Sequence, residues 1–343
     1  MSRHRILSAF AAATVLIAMT VTLAACGGGS ESEKSGESPQ AVLDEATLRG
    51  IDSADVELTL DVKAEGPEGG ELDVSLSGPF QAEAKGELPQ LDLNAEAKGT
   101  VDGEPVDFEG GVVLLPNSAY VNYEGIEYEV DPATFGFLES TLQQAQREGG
   151  AETGSAGAAA CQEELGKLKI AEFFEGGTNE GSADVEGTTT TKISGDLDVP
   201  AAIDGVLEVA ESSACQAQLA AAGQLPSQSE IEEAKAEVKS SLKSANVDVY
   251  VGDDNIVRQL SAQLEIEPKN GGDGPKSVAI ALELKLKGVN EEQEISAPEG
   301  AKPLSRLFAK LGINPLDLLG ALQGEGDGLN ELLEQLDLPS SVG

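Results

Sequence analysis

From Asp55 onward the chain alternates between apolar and polar positions. "DVELTLDVKA" sets Val56, Leu58, Leu60, Val62 and Ala64 on one side of an extended segment, with Asp55, Glu57, Thr59, Asp61 and Lys63 on the other. "EGPEGG" reads as a turn. "ELDVSLSG" resumes the period with Leu72, Val74 and Leu76, "LDLNAEAKG" with Leu91, Leu93, Ala95 and Ala97, and "VDFEGGVVL" with Val106, Phe108 and Val112. "SAYVNYEG" and "IEYEV" complete a predicted meander of about six strands. A second predicted meander begins at Asn246. Its hairpin turns at Gly252–Asn255 and directs Val247, Val249, Val251, Leu260, Ala262, Leu264 and Ile266 to one face. "SVAIALELKLKG" adds Val278, Ile280, Leu282, Leu284 and Leu286. Clean alternation means one wet and one dry face, as in an antiparallel sheet.

The dry face needs a cover, and helical patterns supply part of it. A short helix is predicted over 41–49, where Val42 and Leu48 would pack on the sheet. Asp131-Pro132 reads as an N-cap followed by proline in the first turn, opening a helix to about Arg147. Beyond the Gly/Ala linker "EGGAETGSAGAAA", further helices are predicted around 161–174, 199–221 and 229–243, with "VEGTTTTKISGDLDV" as a strand among them. Sheet, helices, sheet predicts an α+β fold: one large curved antiparallel sheet with helices covering its concave face. The C-terminal residues 301–343 carry one helical pattern twice, at Leu304, Leu307, Phe308 and Leu311 and at Leu329, Leu332, Leu333 and Leu336. These read as amphipathic helices packed on the sheet or as a lid. Glu331, Glu334 and Asp337 speak against membrane docking by the last of them.

The N-terminus changes the setting. Arg3, His4 and Arg5 precede an uncharged run from Ile6 to Ala25, and Leu23-Ala-Ala-Cys26 follows directly into "GGGSESEK". An uncleaved anchor helix of about 20 residues is one reading. The small residues before the thiol favour a cleaved leader, and the stretch resembles the lipobox of bacterial lipoproteins. On that reading residues 1–25 are the signal peptide and Cys26 is lipidated. Residues 26–40 form a flexible tether of about 20 Å root-mean-square span. Residues 41–300 form the folded domain, held on the extracytoplasmic side of a bacterial cell membrane.

Charge and absences then narrow the function. Residues 1–25 hold two of the 22 Lys and Arg and none of the 61 Asp and Glu, so the remaining chain carries 20 basic against 61 acidic residues, a formal charge of −41. Such a surface repels phosphate backbones, and no nucleic-acid partner is expected. His4 is the one histidine, both methionines lie in the leader, and tryptophan is absent. The mature chain therefore has no Ser–His–Asp or Cys–His site and no histidine metal site. Ser240-Ser-Leu-Lys243 matches an S-x-x-K pattern without its S-D-N and K-T-G partners. Gly271–Ser277 imitates a phosphate loop, but Pro275 interrupts the required Gly-Lys pair. Carboxylate-only glycoside hydrolysis stays formally open, although aromatics to platform a sugar are only 3% of the chain. No enzyme, metal or cofactor is expected.

With Cys26 lipidated, Cys161 and Cys215 remain. In an exported chain they most simply pair, which would contribute roughly 4 kcal/mol in the chain-entropy model. Two buried free thiols are the alternative.

The layout as a whole resembles the LppX/LprG-type (LppX/LprAFG) envelope lipoproteins of mycobacteria and relatives. The resemblance covers about 45–295 and rests on the lipobox, the meander, "TTTTKISGDLDVPAAIDGVLEV" and "VDVYVGDDNIVRQLSAQLEI". It implies a LolA-like half-barrel enclosing an apolar cavity that binds or carries acylated lipids. The acidic composition, the two cysteines and the C-terminal tail depart from that pattern. The residues expected to line such a cavity are Val56, Leu58, Leu60, Leu72, Val74, Leu76, Leu93, Ala95, Ala97, Phe108, Val249, Leu260, Ala262, Leu264, Ile280 and Leu282. Small residues among them leave room for acyl chains or let helices approach closely. The alternative function is a cell-envelope interaction or sensory protein with a protein partner and no lipid.

Overall fold

A computed structural model of the chain describes residues 36–66, 69–82, 88–101, 103–136, 170–212, 240–268 and 275–312, with Ser140, Cys215 and Ala236. The leader, Cys26, Cys161, most of the predicted helices over 131–147 and 229–243, and the leucines at 329–336 lie outside the described residues.

The first meander runs through β1 (Ser53–Glu65), β2 (Gly70–Gln81), β3 (Gln90–Val101), β4 (Glu104–Leu115), β5 (Ser118–Tyr123) and β6 (Ile126–Glu129). The second part comprises β7 (Phe174–Val185), β8 (Thr188–Leu197), β9 (Leu242–Gly252), β10 (Val257–Ile266) and β11 (Ser277–Lys287), and β12 (Lys302–Pro303) follows. They form one twelve-stranded sheet in the order β12-β6-β5-β4-β3-β2-β1-β11-β10-β9-β8-β7. The first and last long strands of the two meanders, β1 and β11, pair antiparallel from Asp55–Lys287 to Glu65–Ser277 and so fuse the two halves. The result is the open curved sheet of a half-barrel. Two glycines permit the close crossing of β2 and β3. A Cβ on Gly78, at φ 134°, would lie 1.9 Å from the Asp92 carbonyl oxygen, and one on Gly99, at φ 155°, 2.0 Å from that of Glu71.

Described helices accompany the sheet. In α1 (Pro39–Glu45) the Ser38 hydroxyl accepts a hydrogen bond from the Ala41 N–H at 3.3 Å, and Pro39 occupies the first turn. Its Val42 and Leu43 are buried against Ile193, Val247, Val249 and Val251. In α2 (Val199–Glu211) the Asp198 carboxylate accepts from the Ala201 N–H at 3.0 Å. Then α3 (Ser305–Leu311) ends at Gly312, whose φ of 71° suits a glycine C-cap. Asp131 caps the helical residues 132–136, accepting from the N–H groups of Ala133 and Thr134.

Several predicted bounds are corrected. Of the helix expected around 161–174, residues 161–169 lie outside the described residues; the remainder is a 3₁₀ turn, Ile170–Phe173, followed by β7, an edge strand the alternation did not announce. Within the helix expected over 199–221, α2 ends at Glu211, where Ser212 is extended at φ −63°, ψ 143°; Cys215 is again helical, and 213–214 and 216–221 lie outside the described residues. The second meander starts at Leu242, not Asn246, which shortens the helix expected to run to 243. The first helix spans 39–45 in place of 41–49. Also unannounced is β12, whose two residues pair parallel with Tyr128 and Glu129.

Candidate functional site

Cross-strand register sorts the inner face into rows. One row joins Ile193, Val249, Leu260, Leu284, Leu58, Leu76, Ala95, Gly110 and Tyr123 through directly opposed pairs. The next joins Val247, Ala262, Leu282, Leu60, Val74, Ala97 and Phe108. A third joins Ala245, Leu264, Ile280, Val62, Leu72, Gly99 and Val106. Val56 stands on the same face of β1, and Leu93, opposite Val112, on the same face of β3. Every residue proposed from the sequence as a cavity lining therefore faces the same way. Adjacent rows lie roughly 6.8 Å apart, two residues along a strand, and six strands from β10 to β4 span roughly 24 Å.

The cover over these rows is uneven. At the β8–β9 end, α1 fills the inner face, and Val249 is fully buried. At the upper end of β1 and β2, Ile51, Ala54, Val56, Phe80, Ile256 and Leu286 form a second packed cluster. At the β5–β6 edge, Leu304 packs with Leu114 and Ala119, Leu307 is buried, and the Lys310 ammonium bridges to Glu124 and lies 5.0 Å from the Tyr123 ring centre. Between these covers lies an apolar floor. There Leu58, Leu60, Leu72, Val74, Leu76, Leu93, Ala95, Ala97, Leu264, Ile280 and Leu282 are half-buried. Phe108 and Val112 are 43% and 41% exposed. Among the described residues this is an open floor rather than a closed cavity. From β11 to β4 the inward positions that form it are apolar or glycine throughout. Tyr123, Ile193 and the Lys310 contact frame it but escaped the sequence reading. The first two were signalled by alternation with Val121 and Thr191, whereas Lys310 had no signal.

The outer face carries the charge. Lys192 pairs with Asp248 at 3.0 Å and lies over Tyr250; Lys285 pairs with Glu283 at 3.2 Å and Lys287 with Glu57 at 3.1 Å. These carboxylates raise the pKa of Lys192 and Lys287, chiefly by accepting hydrogen bonds from the two ammonium groups, Asp248 from Lys192 and Glu57 from Lys287. Partly exposed pairs of this kind contribute at most about 1 kcal/mol each. Asp61 lies directly opposite Asp73. A hydrogen bond between the two carboxyls raises the pKa of Asp61, with desolvation adding to it. Burial likewise raises the pKa of Asp92. A shallow depression on this face is lined by Thr59, Asp61, Ser261, Gln263, Ala281 and Glu283. Among the described residues no group of three or more His, Cys, Asp or Glu is arranged to hold a metal ion, and no helix is long and apolar enough to cross a membrane. Cys215 is 1% exposed.

No protein-family model and no curated protein sequence matches the chain. Among solved structures it is similar to LprF from Mycobacterium bovis, at 14% identity and a TM-score of 0.35 over 79% of this chain and 100% of LprF. It is also similar to the lipoprotein LppX from Mycobacterium tuberculosis, at 12% identity and a TM-score of 0.32 over 75% of this chain and 98% of LppX. A LolA superfamily protein from Nitrosomonas europaea aligns at 8% identity and a TM-score of 0.17, over 73% of this chain and 93% of that protein. The half-barrel assignment rests on strand order and register rather than on these likenesses.

Proposed function

We propose that the chain is an envelope lipoprotein, anchored through Cys26, whose inner face binds or carries acylated lipids. The observation that carries this reading is the half-open apolar floor from β10 to β4, where large hydrophobic side chains stay partly solvent-exposed. An exposed apolar surface of that extent, inside a half-barrel, is what a ligand or partner covers. Each methylene laid on it contributes about 0.8 kcal/mol, so about ten supply a gross 8 kcal/mol before the cost of immobilisation. Affinity then needs no histidine, metal or cofactor. A non-enzymatic role fits the same geometry. The one pair of directly opposed, hydrogen-bonded carboxyls named above, Asp61 and Asp73, sits on the outer face with no room between them for a glycosidic bond.

A second reading, an envelope interaction or sensory protein without lipid, is favoured by the filling of the β8–β9 end by Val42 and Leu43. Lipid release from purified, detergent-free protein separates the two readings. The anchor has its own test. Cys26→Ala should move the protein out of the membrane fraction or leave the leader uncleaved, and unchanged mass and partitioning would end the lipoprotein reading.

A further inference from the structure

Strand β5 is shorter than the strand it pairs with. It opposes β4 only from Gly110 to Leu115, and the last rung is the Glu124 N–H donated to the Glu109 carbonyl at 3.2 Å. Below that rung, Glu104–Phe108 pair with β3 alone among the described residues, so the lower half of β4 is a sheet edge. Backbone groups of alternate residues point to the same side of a strand, which puts those of Pro105 and Asp107 on the open side with the Glu109 carbonyl. Pro105 has no N–H to offer there, and the exposed Asp107 and Glu109 charge the edge. Both features discourage the addition of another strand. Val106 and Phe108 face inward along this edge. The Tyr123 ring forms a lip above it, with the Lys310 ammonium 5.0 Å from the ring centre and paired with Glu124.

The other margins of the floor are more closed. Val42 and Leu43 fill the β8–β9 end, Val56, Phe80 and Leu286 pack across the upper end, and Leu304 packs with Leu114 and Ala119. At the lower end, by the β1–β2 turn, Leu72, Val278 and Ile280 are half-buried and Val62 is buried. Exposure is greatest at the β4 edge, where Phe108 and Val112 are the exposed large hydrophobics among the described residues. From Phe108 the row Ala97, Val74, Leu60 and Leu282 is half-buried at every step, over four inter-strand spacings or about 19 Å. We propose that an acyl chain enters the floor sideways, over Phe108 at the free edge of β4, and lies across the strands with its tail at Leu282 and its polar end beside Tyr123. The charged groups at that edge keep the polar end in water, whereas the Leu282 end offers apolar neighbours alone. The inference rests on the lipid-binding reading and adds to it a way in and a direction.

The chain has no tryptophan, so a single introduced one reports alone. The mature lipoprotein in phosphatidylcholine vesicles, carrying Phe108→Trp, Tyr123→Trp, Leu282→Trp or Val278→Trp, is titrated with stearate bearing a nitroxide quencher. The nitroxide sits beside the carboxylate in one probe and near the methyl end in the other, and outer-face Glu57→Trp gives the background. The expected result is at least twofold stronger quenching of Phe108→Trp and Tyr123→Trp by the carboxylate-end label, and of Leu282→Trp by the methyl-end label. Equal or reversed quenching at both Phe108→Trp and Tyr123→Trp, or a carboxylate-end preference at Val278→Trp, would overturn the sideways entry and leave lipid binding standing. Quenching no stronger than the Glu57→Trp background at all four positions would overturn the lipid-binding reading and the entry with it.

Discussion

Ala97 lies directly opposite Phe108, and the two face the same side of the sheet. Phe108 is 43% exposed. This pairing of a small side chain with a large exposed one marks the part of the floor where volume is available.

Adding bulk there should block a ligand without disturbing the core. Ala95 is half-buried in the same small-residue strand, so Ala95→Phe should lower lipid uptake several-fold and leave the melting temperature nearly unchanged. Ala262 differs because it is only 7% exposed. Ala262→Phe should overpack and cost about 1–3 kcal/mol. Fluorescent fatty-acid titration beside thermal unfolding checks both, with Glu57→Gln as an outer-face control. If Ala95→Phe took up lipid like the parent, the floor would not be the site.

Acidification should relieve the Asp61–Asp73 pair. The folded-state pKa of Asp61 is raised above its ordinary 3.8, so the folded protein holds that proton more tightly than the unfolded chain does. The contribution is fully present below the ordinary value and is lost as pH rises through the raised one. Asp61→Asn, which keeps a donor at every pH, should therefore raise the melting temperature at about pH 7, and the gain should vanish near pH 4. A gain that grew on acidification, or a loss at neutral pH, would contradict this account.

The thiols make a separate prediction. Cys161 and Cys215 should yield one cross-linked peptide pair when protein exported by its native host is mapped without reduction. Recovery of both as free thiols would contradict the pairing.

The sequence was most legible where one face is wet and the other dry. Leu58, Leu76, Leu260 and Leu284 could be assigned to a single face because a strand's period of two fixes side-chain direction once one position is known. That the two meanders join one sheet followed from the same logic, since both needed to bury the same kind of face; that they join through β1 and β11 did not. β7 was illegible because it is an edge strand: its inward positions Gly177, Asn179 and Ser182 carry no apolar period, and two register shifts interrupt it. β12 has only two residues and exists through tertiary contact, including the Leu304 N–H donated to the Glu129 carbonyl. The extent of cover was hidden for a different reason. Periodicity gives direction but not what lies above, and nothing in the pattern around Val42 and Leu43 told that they would fill one end and leave Phe108 and Val112 open.

The central claim is tested most directly by native mass spectrometry of residues 27–343, produced in a bacterial host and purified without detergent. The account predicts a population heavier than the bare chain by the mass of an acylated lipid, with that lipid recovered on organic extraction and the extra mass lost in Ala95→Phe. A single species at the mass of the bare chain, which also takes up no added fatty acid, would contradict the lipid-binding reading and leave the interaction protein in its place.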